Sequence, residues 1–316
     1  MEEFIRKELE KRFEHDHLEQ RLHREEHHQT LQFRGGFKVY WENSDLMAAC
    51  LRILLKCTGT LKRGFKNALD HEVVENTISL THLPQEFHNY TILQISDLHI
   101  DGMFDHGKKL IRTVKDLHYD LCVFTGDFRF LTYGQERETI IYTKKLVDSL
   151  SNRKNIVGIL GNHDSIEMIP ALESIGIKML VNESTVISRG GAQIAVAGVD
   201  DSHFYETADI RKAFKQVKGN SVKILLAHSQ EIIEEASNLD FDLYLCGHTH
   251  GGQICLPGGI PIIKNTPLKY RGPFIAGPWE YGHMKGYTSR GSGASALPVR
   301  FNCRPEVTLH KLVMGD

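Results

Sequence analysis

From about residue 91 onward, short apolar runs recur along the chain, and each stops at a glycine or a polar cluster. Runs of about 4–8 apolar residues bounded in this way read as buried strands. Thr91–Ile95, Leu121–Thr125, Ile156–Leu160, Val222–Leu226 and Phe241–Cys246 fit that description best. Val186–Ser188, Ile194–Ala197, Arg300–Asn302 and Val307–Leu309 supply further candidates. Helical spacing falls between them, near His106–Leu117, Gly134–Leu150, Ser165–Ser174, Ile210–Val217 and Gln230–Ser237. Strands alternating with helices predict an α/β fold.

Before residue 77 the pattern is different. Residues 1–29 are rich in Glu, Lys, Arg and His with no Gly or Pro. Ile5, Leu9, Phe13, Leu18 and Leu22 recur at helical spacing, which predicts a long surface helix. His15, His17, His23, His27 and His28 then read as a solvated helical face rather than a metal tract. Between Leu46 and Phe65, apolar Leu46, Met47, Cys50, Leu51, Ile53, Leu54, Leu55, Leu61 and Phe65 are interleaved with Arg52, Lys56, Lys62 and Arg63. That segment is too interrupted to span a bilayer, which needs about 20 mostly apolar residues. Two roles remain open for it, lying in a lipid interface or packing on protein. The expected organisation is an N-terminal helical extension over residues 1–76 and one α/β domain over 77–316.

Composition narrows the class. Lys and Arg number 38 against 40 Asp and Glu, a balance that does not point to nucleic acid, and no such partner is expected. The six cysteines show no secreted-scaffold spacing, and the charged N-terminus is unlike a signal peptide. A cytoplasmic location follows as the expectation, with peripheral contact on the inner face of the membrane if residues 46–65 bind lipid. Oligomeric state is not readable.

The chemistry sits where the five strands end. Asp97-Leu98-His99, Gly126-Asp127, Gly161-Asn162-His163-Asp164, Ala227-His228 and Gly247-His248-Thr249-His250 follow them in order. In open α/β sheets, ligands collect beyond the carboxyl ends of the strands, so the five blocks are expected to meet at one edge of one sheet. Asp97 and His99 are two apart, as are His248 and His250, and residues at i and i+2 of an extended strand share a side. Asp127 has two carboxylate oxygens with which to bridge cations. No thiolate joins the set, and mixed imidazole, carboxylate and amide donors suit Mn, Fe, Zn or Co. Taken singly, D-x-H and G-D are ordinary turn chemistry. Five such blocks in order are not.

This series resembles the calcineurin-like metallophosphoesterase family over roughly residues 77–316. Gly247-His248-Thr249-His250-Gly251-Gly252-Gln253-Ile254-Cys255-Leu256-Pro257 and the approach Leu83-Pro84 … Ile95-Ser96-Asp97-Leu98-His99 look like its bacterial GHTHGGQI branch. The resemblance implies two facing mixed β-sheets flanked by helices, and two divalent metal ions. Asp97, His99 and His250 would hold one ion, Asn162, His228 and His248 the other, and Asp127 would bridge them. It further implies a hydroxide shared between the ions as nucleophile, and His163 as the catalytic histidine, oriented by Asp164.

Protein Ser/Thr phosphatases of the superfamily carry G-D-x-V-D-R-G and G-N-H-E, where this chain has Gly126-Asp127-Phe128-Arg129-Phe130 and Gly161-Asn162-His163-Asp164. Arg129 is a candidate phosphate contact, with a surface ion pair as the plainer alternative. The branch includes UDP-2,3-diacylglucosamine pyrophosphatases of lipid A synthesis, so the expected substrate is a phosphodiester or pyrophosphate, with a lipid-linked one compatible with the basic segment ahead of the domain. A membrane-docked binding module with a metal-stabilised core is the alternative from a different class.

Overall fold

The computed structural model describes residues 3–27, 45–215, 217, 222–263 and 266–315, with side chains described from residue 48 in the second stretch. Two six-stranded mixed sheets carry the chain. The first has the order β1 (Glu72–Leu80), β14 (Glu306–Met314), β2 (Thr91–Ile95), β3 (Leu121–Thr125), β4 (Ile156–Ile159) and β5 (Lys178–Met179). The second runs β12 (Gly277–Tyr281), β13 (Met284–Thr288), β9 (Leu243–Cys246), β8 (Val222–Leu226), β7 (Ala192–Gly198) and β6 (Glu183–Arg189). A short antiparallel hairpin, β10 (Cys255–Leu256) with β11 (Ile260–Pro261), stands apart.

The apolar runs read as continuous because both faces of these strands are buried. Alternate residues serve different cores. Ile92, Leu121 and Val123 meet Ile224, Leu226, Leu243 and Leu245 in one cluster shared by the two sheets. Their neighbours Leu93, Cys122 and Phe124 share a second cluster with Leu110 of α5 (Lys108–Val114), Leu146 of α6 (Arg137–Ser149) and Leu172 of α7 (Ile169–Ser174). On the second sheet, Leu225 and Tyr244 pack with Ile210 of α8 (Ile210–Phe214) and Ile233 of α9 (Ile233–Asn238).

β2, β3 and β4 are mutually parallel, as are β8 and β9. The five polar blocks therefore leave the carboxyl ends of three strands in one sheet and two in the other. They do not share a single sheet, as the strand pattern alone led one to expect. The seam between two sheets offers donors from both sides, which one sheet edge would not.

The early part of the chain also departs from expectation. β1 pairs in parallel with β14 from Glu72↔Glu306 to Leu80↔Met314, so the expected boundary at 76/77 falls inside a paired strand. Its exposed and half-buried alternation, with only Ile78 and Leu80 buried, hid it from a search for apolar runs. Residues 3–26 form two helices, α1 (Glu3–Arg12) and α2 (His15–Glu26), broken at extended Glu14. The turn lets Leu9, Phe13 and Leu18 all enter the core cluster under the first sheet, which one straight surface helix would not allow. His17 is not a solvated residue either: its Nε2 lies 3.0 Å from Asp200 Oδ2. His28 and the side chains of Leu46 and Met47 lie outside the described residues. The basic amphipathic segment forms α3 (Asp45–Cys57) and α4 (Leu61–Asn67). The expected strand at 300–302 is a single bridge, Ile254↔Phe301, and β12 and β13 carry apolar runs too short to stand out. Among the described residues no helix is long and apolar enough to cross a membrane.

Because Leu18 is fully buried in the main cluster, Leu18→Ala is expected to cost about 2–5 kcal/mol, as for other buried leucine truncations. Urea unfolding of the whole chain measures it; a cost near zero would mean that α2 is not part of the cooperative unit.

Candidate metal centre

The ligand-bearing residues do not extend the strands. Asp97, His99, Asp127, His248 and His250 all take positive φ, between 40° and 72°. Non-glycine residues rarely do so, and such conformations gather at functional sites where surrounding structure holds them. The pairs Asp97/His99 and His248/His250 thus converge through left-handed turns at the strand ends, not through the i, i+2 geometry of an extended strand. Glycines make room for them. A Cβ on Gly161 would lie 2.2 Å from Asp127 Oδ1, and one on Gly247 would lie 2.2 Å from Asp97 Oδ2.

Donor atoms of Asp97, His99, Asp127 and His250 all lie within 4.8 Å of one another. His99 Nε2 is 3.2 Å from His250 Nε2 and 3.5 Å from Asp127 Oδ2, while His250 Nε2 is 3.5 Å from Asp97 Oδ1. A second group forms on the other side of Asp127. His228 Nε2 lies 3.3 Å from the same Asp127 Oδ2 and 3.0 Å from Asn162 Oδ1, and His248 Nδ1 lies 2.9 Å from that amide oxygen. One oxygen of Asp127 faces both groups. Its other oxygen accepts the main-chain N–H of His163 at 2.9 Å.

The surrounding bonds fix which nitrogens point inward. His99 Nδ1 donates to the Arg129 carbonyl at 2.7 Å and His228 Nδ1 to the Thr125 carbonyl at 2.8 Å, which turns each Nε2 to the centre. Asp97 accepts the His248 main-chain N–H and the Ser96 hydroxyl, the latter at 2.6 Å. Arg300, fully buried, donates to the His250 carbonyl and to Gly293. The loop after β13 closes the far side, with Ser292 N–H on Ser96 O and Gly293 N–H on Asp97 O.

Burial governs the electrostatics. It pushes the His99 imidazole down to about 3, with His163 nearby adding to the effect. It pushes the Asp97 carboxyl up to about 6, despite His228 and with Asp127 reinforcing it. At His228 burial also opposes the charge, but Asp127 outweighs it and holds the imidazole up to about 10. Paired imidazole lone pairs and carboxylates at this spacing fit divalent cations, which would supply the positive charge the buried carboxylates lack.

His163 stands beside the first group, its ring centroid 4.7 Å from that of His99. Its Nδ1 donates to the Phe130 carbonyl at 2.6 Å. Asp164 does not orient this ring. Its carboxylate instead accepts main-chain N–H groups of Phe128 at 2.8 Å, Arg129 at 3.3 Å and Gly161 at 2.9 Å, so it ties the loop after β3 to the loop after β4. Arg129 is buried rather than at the surface. Its guanidinium donates to the His163 and Thr132 carbonyls and to Glu136, which places it in the loop scaffold.

Three contributors escaped the sequence reading. Arg21 of α2 is fully buried, donates to the Asp164 carbonyl at 2.8 Å and stacks 3.5 Å over Tyr205, while Glu25 accepts the Ile166 N–H at 2.8 Å. The N-terminal helices therefore brace the loop that carries His163. His203, with its ring centroid 4.1 Å from that of His248 and Nδ1 2.6 Å from Glu231, borders the second group. For His203 a signal existed: Gly198-Val199-Asp200-Asp201 follows an apolar strand just as the five blocks do. For Arg21 nothing local distinguishes it from other helix arginines.

Two predictions follow from the geometry. Asp127→Asn removes the charge facing both groups and is expected to lose metal while the fold persists; full occupancy by elemental analysis would refute the shared role. Metal affinity is expected to rise with pH. Binding must displace the proton that His228 carries up to about 10, and below about 6 a second proton from Asp97. Calorimetry in buffers of different ionisation heats would count those protons, and a count of zero at neutral pH would contradict the assignment.

Residues 90–252 match the family described as calcineurin-like phosphoesterase. The chain is 31% identical over 251 residues to the uncharacterized metallophosphoesterase YkuE of Bacillus subtilis (strain 168), covering 76% of this chain and 85% of that one. It is 30% identical over 268 residues to the metallophosphoesterase YkoQ of the same organism, covering 80% of this chain and 94% of that one. It is also 36% identical over 195 residues to phosphodiesterase YaeI of Escherichia coli (strain K12), covering 61% and 68%. With the sandwich and the buried Asp/His cluster already in place, the chain belongs to the calcineurin-like phosphoesterase family of metal-dependent phosphoester hydrolases.

Proposed function

We propose that this protein hydrolyses a phosphodiester or pyrophosphate with two divalent cations, Mn, Fe, Zn or Co, held in the two ligand groups. The observation that carries this is the single Asp127 oxygen lying 3.5 Å from His99 Nε2 and 3.3 Å from His228 Nε2, between the groups. Asp97, His99 and His250 would hold one cation, and Asn162, His228 and His248 the other. Bound there, the cations would neutralise phosphoryl charge and acidify a water as the source of the nucleophile.

The chain's own residues supply the rest. His163, fixed through Nδ1 on the Phe130 carbonyl, presents Nε2 beside the first group, where it stabilises the phosphoryl oxygens or protonates the leaving oxygen. Asp164 and Arg129 keep that loop in place through main-chain contacts. The name of the relative YaeI, a phosphodiesterase, favours diesters over monoesters. For the finer class we favour a lipid-linked ester such as UDP-2,3-diacylglucosamine. The basic amphipathic segment of α3 and α4 ahead of the domain supports it, since such segments suit a lipid interface.

Metal-stripped protein reloaded with Mn²⁺ is expected to hydrolyse bis(4-nitrophenyl) phosphate. His163→Ala should keep both metals and lose roughly 10²-fold or more in kcat. Parallel loss of metal and turnover would make His163 a ligand instead. No turnover of any ester by the fully loaded wild type would favour the binding-module alternative.

A further inference from the structure

Two surface segments far apart in sequence share an unusual chemistry. Between Leu46 and Leu69 the chain has Arg52, Lys56, Lys62, Arg63 and Lys66 and no acidic residue. Between Gly251 and Trp279 the sequence has Lys264, Lys269 and Arg271 and again no acidic residue, although Lys269 reaches Glu234 of α9 at 3.1 Å. The whole chain nevertheless carries a formal net charge of −2. Both segments also expose large aliphatic side chains. Ile53 and Leu54 of α3 are 62% and 59% exposed. In and after the β10–β11 hairpin, Leu256, Ile260, Ile262, Ile263 and Leu268 are each at least half exposed. Single exposed aliphatics are ordinary, but five within thirteen residues mark an interaction surface.

The fold joins the two segments. Arg300 N–H donates to the Gly64 carbonyl at 3.1 Å, and Asn67 Nδ2 donates to the Arg300 carbonyl at 3.0 Å, which fixes α4 on residues 299–302. The hairpin takes the other side of that stretch, with Cys255 N–H on the Phe301 carbonyl and Asn302 Nδ2 on the Cys255 carbonyl, both at 2.9 Å. Arg300 also holds the His250 carbonyl. His250, the hairpin and α4 are thus neighbours around one strip of chain, and α3 adjoins α4 through the turn at Thr58 and Thr60. Phe65 of α4 packs edge-on against exposed Phe104 at 4.3 Å.

We propose that the β10–β11 hairpin and the α3–α4 segment together form a docking surface for an anionic lipid bilayer, with the hairpin aliphatics entering the interface and the basic side chains on the headgroups. The proposal rests on the lipid-linked reading of the substrate for its purpose, and adds the hairpin as the anchoring element. Charge selects the bilayer over a second copy of this chain. A two-fold contact would set the same basic side chains against each other, which costs energy where an anionic surface gains it.

Sedimentation with vesicles of phosphatidylcholine, with and without phosphatidylglycerol, tests this on the full chain. Wild type should partition onto the anionic vesicles and lose about tenfold in affinity at high salt. Ile260→Glu/Ile262→Glu should weaken partitioning by about tenfold or more, with a thermal melt like that of wild type. Leu268→Glu, at the most exposed of these positions, should weaken it in the same direction and serves if the double variant misfolds. Three outcomes overturn the proposal: wild type that ignores anionic vesicles, hairpin variants that bind as wild type does, or self-association that the same variants abolish. Turnover of bis(4-nitrophenyl) phosphate without vesicles is read separately, so loss of the hydrolase reading and loss of the docking surface are told apart.

Discussion

Everything at the centre of this molecule depends on holding carboxylates and imidazole nitrogens close together in a buried site. Asp97 and Asp127 are buried within a few ångströms of each other, and imidazole nitrogens face one another at 3.2 and 3.3 Å. Stripped of cations such a cluster is costly, which is why burial and Asp127 together push Asp97 up to about 6. The surrounding structure meets this cost with main-chain donors. Asp97 takes the His248 amide, Asp127 the His163 amide, and Asp164 three more. Those donors come from loops of both sheets, so the sandwich and the site specify each other.

The same dependence explains the left-handed backbone at Asp97, His99, Asp127, His248 and His250. A strand that continued straight would carry its side chains past the seam. Turning at once into positive φ brings Asp97, Asp127 and His248 back over the strand ends, at a local cost that a well-packed double core can sustain. Phe128 and Leu98, both buried beside ligand residues, show how directly core packing and ligand placement are coupled.

Much of this was legible in the sequence. The strands at 91–95, 121–125 and 222–226 have the bounds that their apolar runs gave, because residues buried on both faces leave a continuous signal. That the five polar blocks would meet was legible because polar side chains directly after such runs have little structural reason to include histidine. What stayed hidden was of another kind. β1 pairs at a sheet edge and alternates like a solvent-facing strand. Arg21 is defined by partners far along the chain, the Asp164 carbonyl 143 residues away and the Tyr205 ring. The expectation that Asp164 aligns the His163 ring failed because adjacency in sequence says nothing about which atoms a carboxylate finds, and main-chain amides on a neighbouring loop were nearer. Arg129 likewise turns into its own loop, toward Thr132 and Glu136, for reasons no motif records.

The strand order of the first sheet has a consequence for how the protein is made. β14 lies between β1 and β2, pairing Val307 with Val73 on one side and Leu309 with Leu93 on the other. Both partners precede it by more than two hundred residues of synthesis. Until β14 emerges from the ribosome, β1 has no described neighbour and β2 keeps one edge open, a template for pairing with the wrong chain. β2 leads straight into Asp97 and His99, so these two residues are translated long before the strand that secures β2. A chain lacking β14 would leave β2, and with it the turn that carries Asp97 and His99, unsecured along one edge.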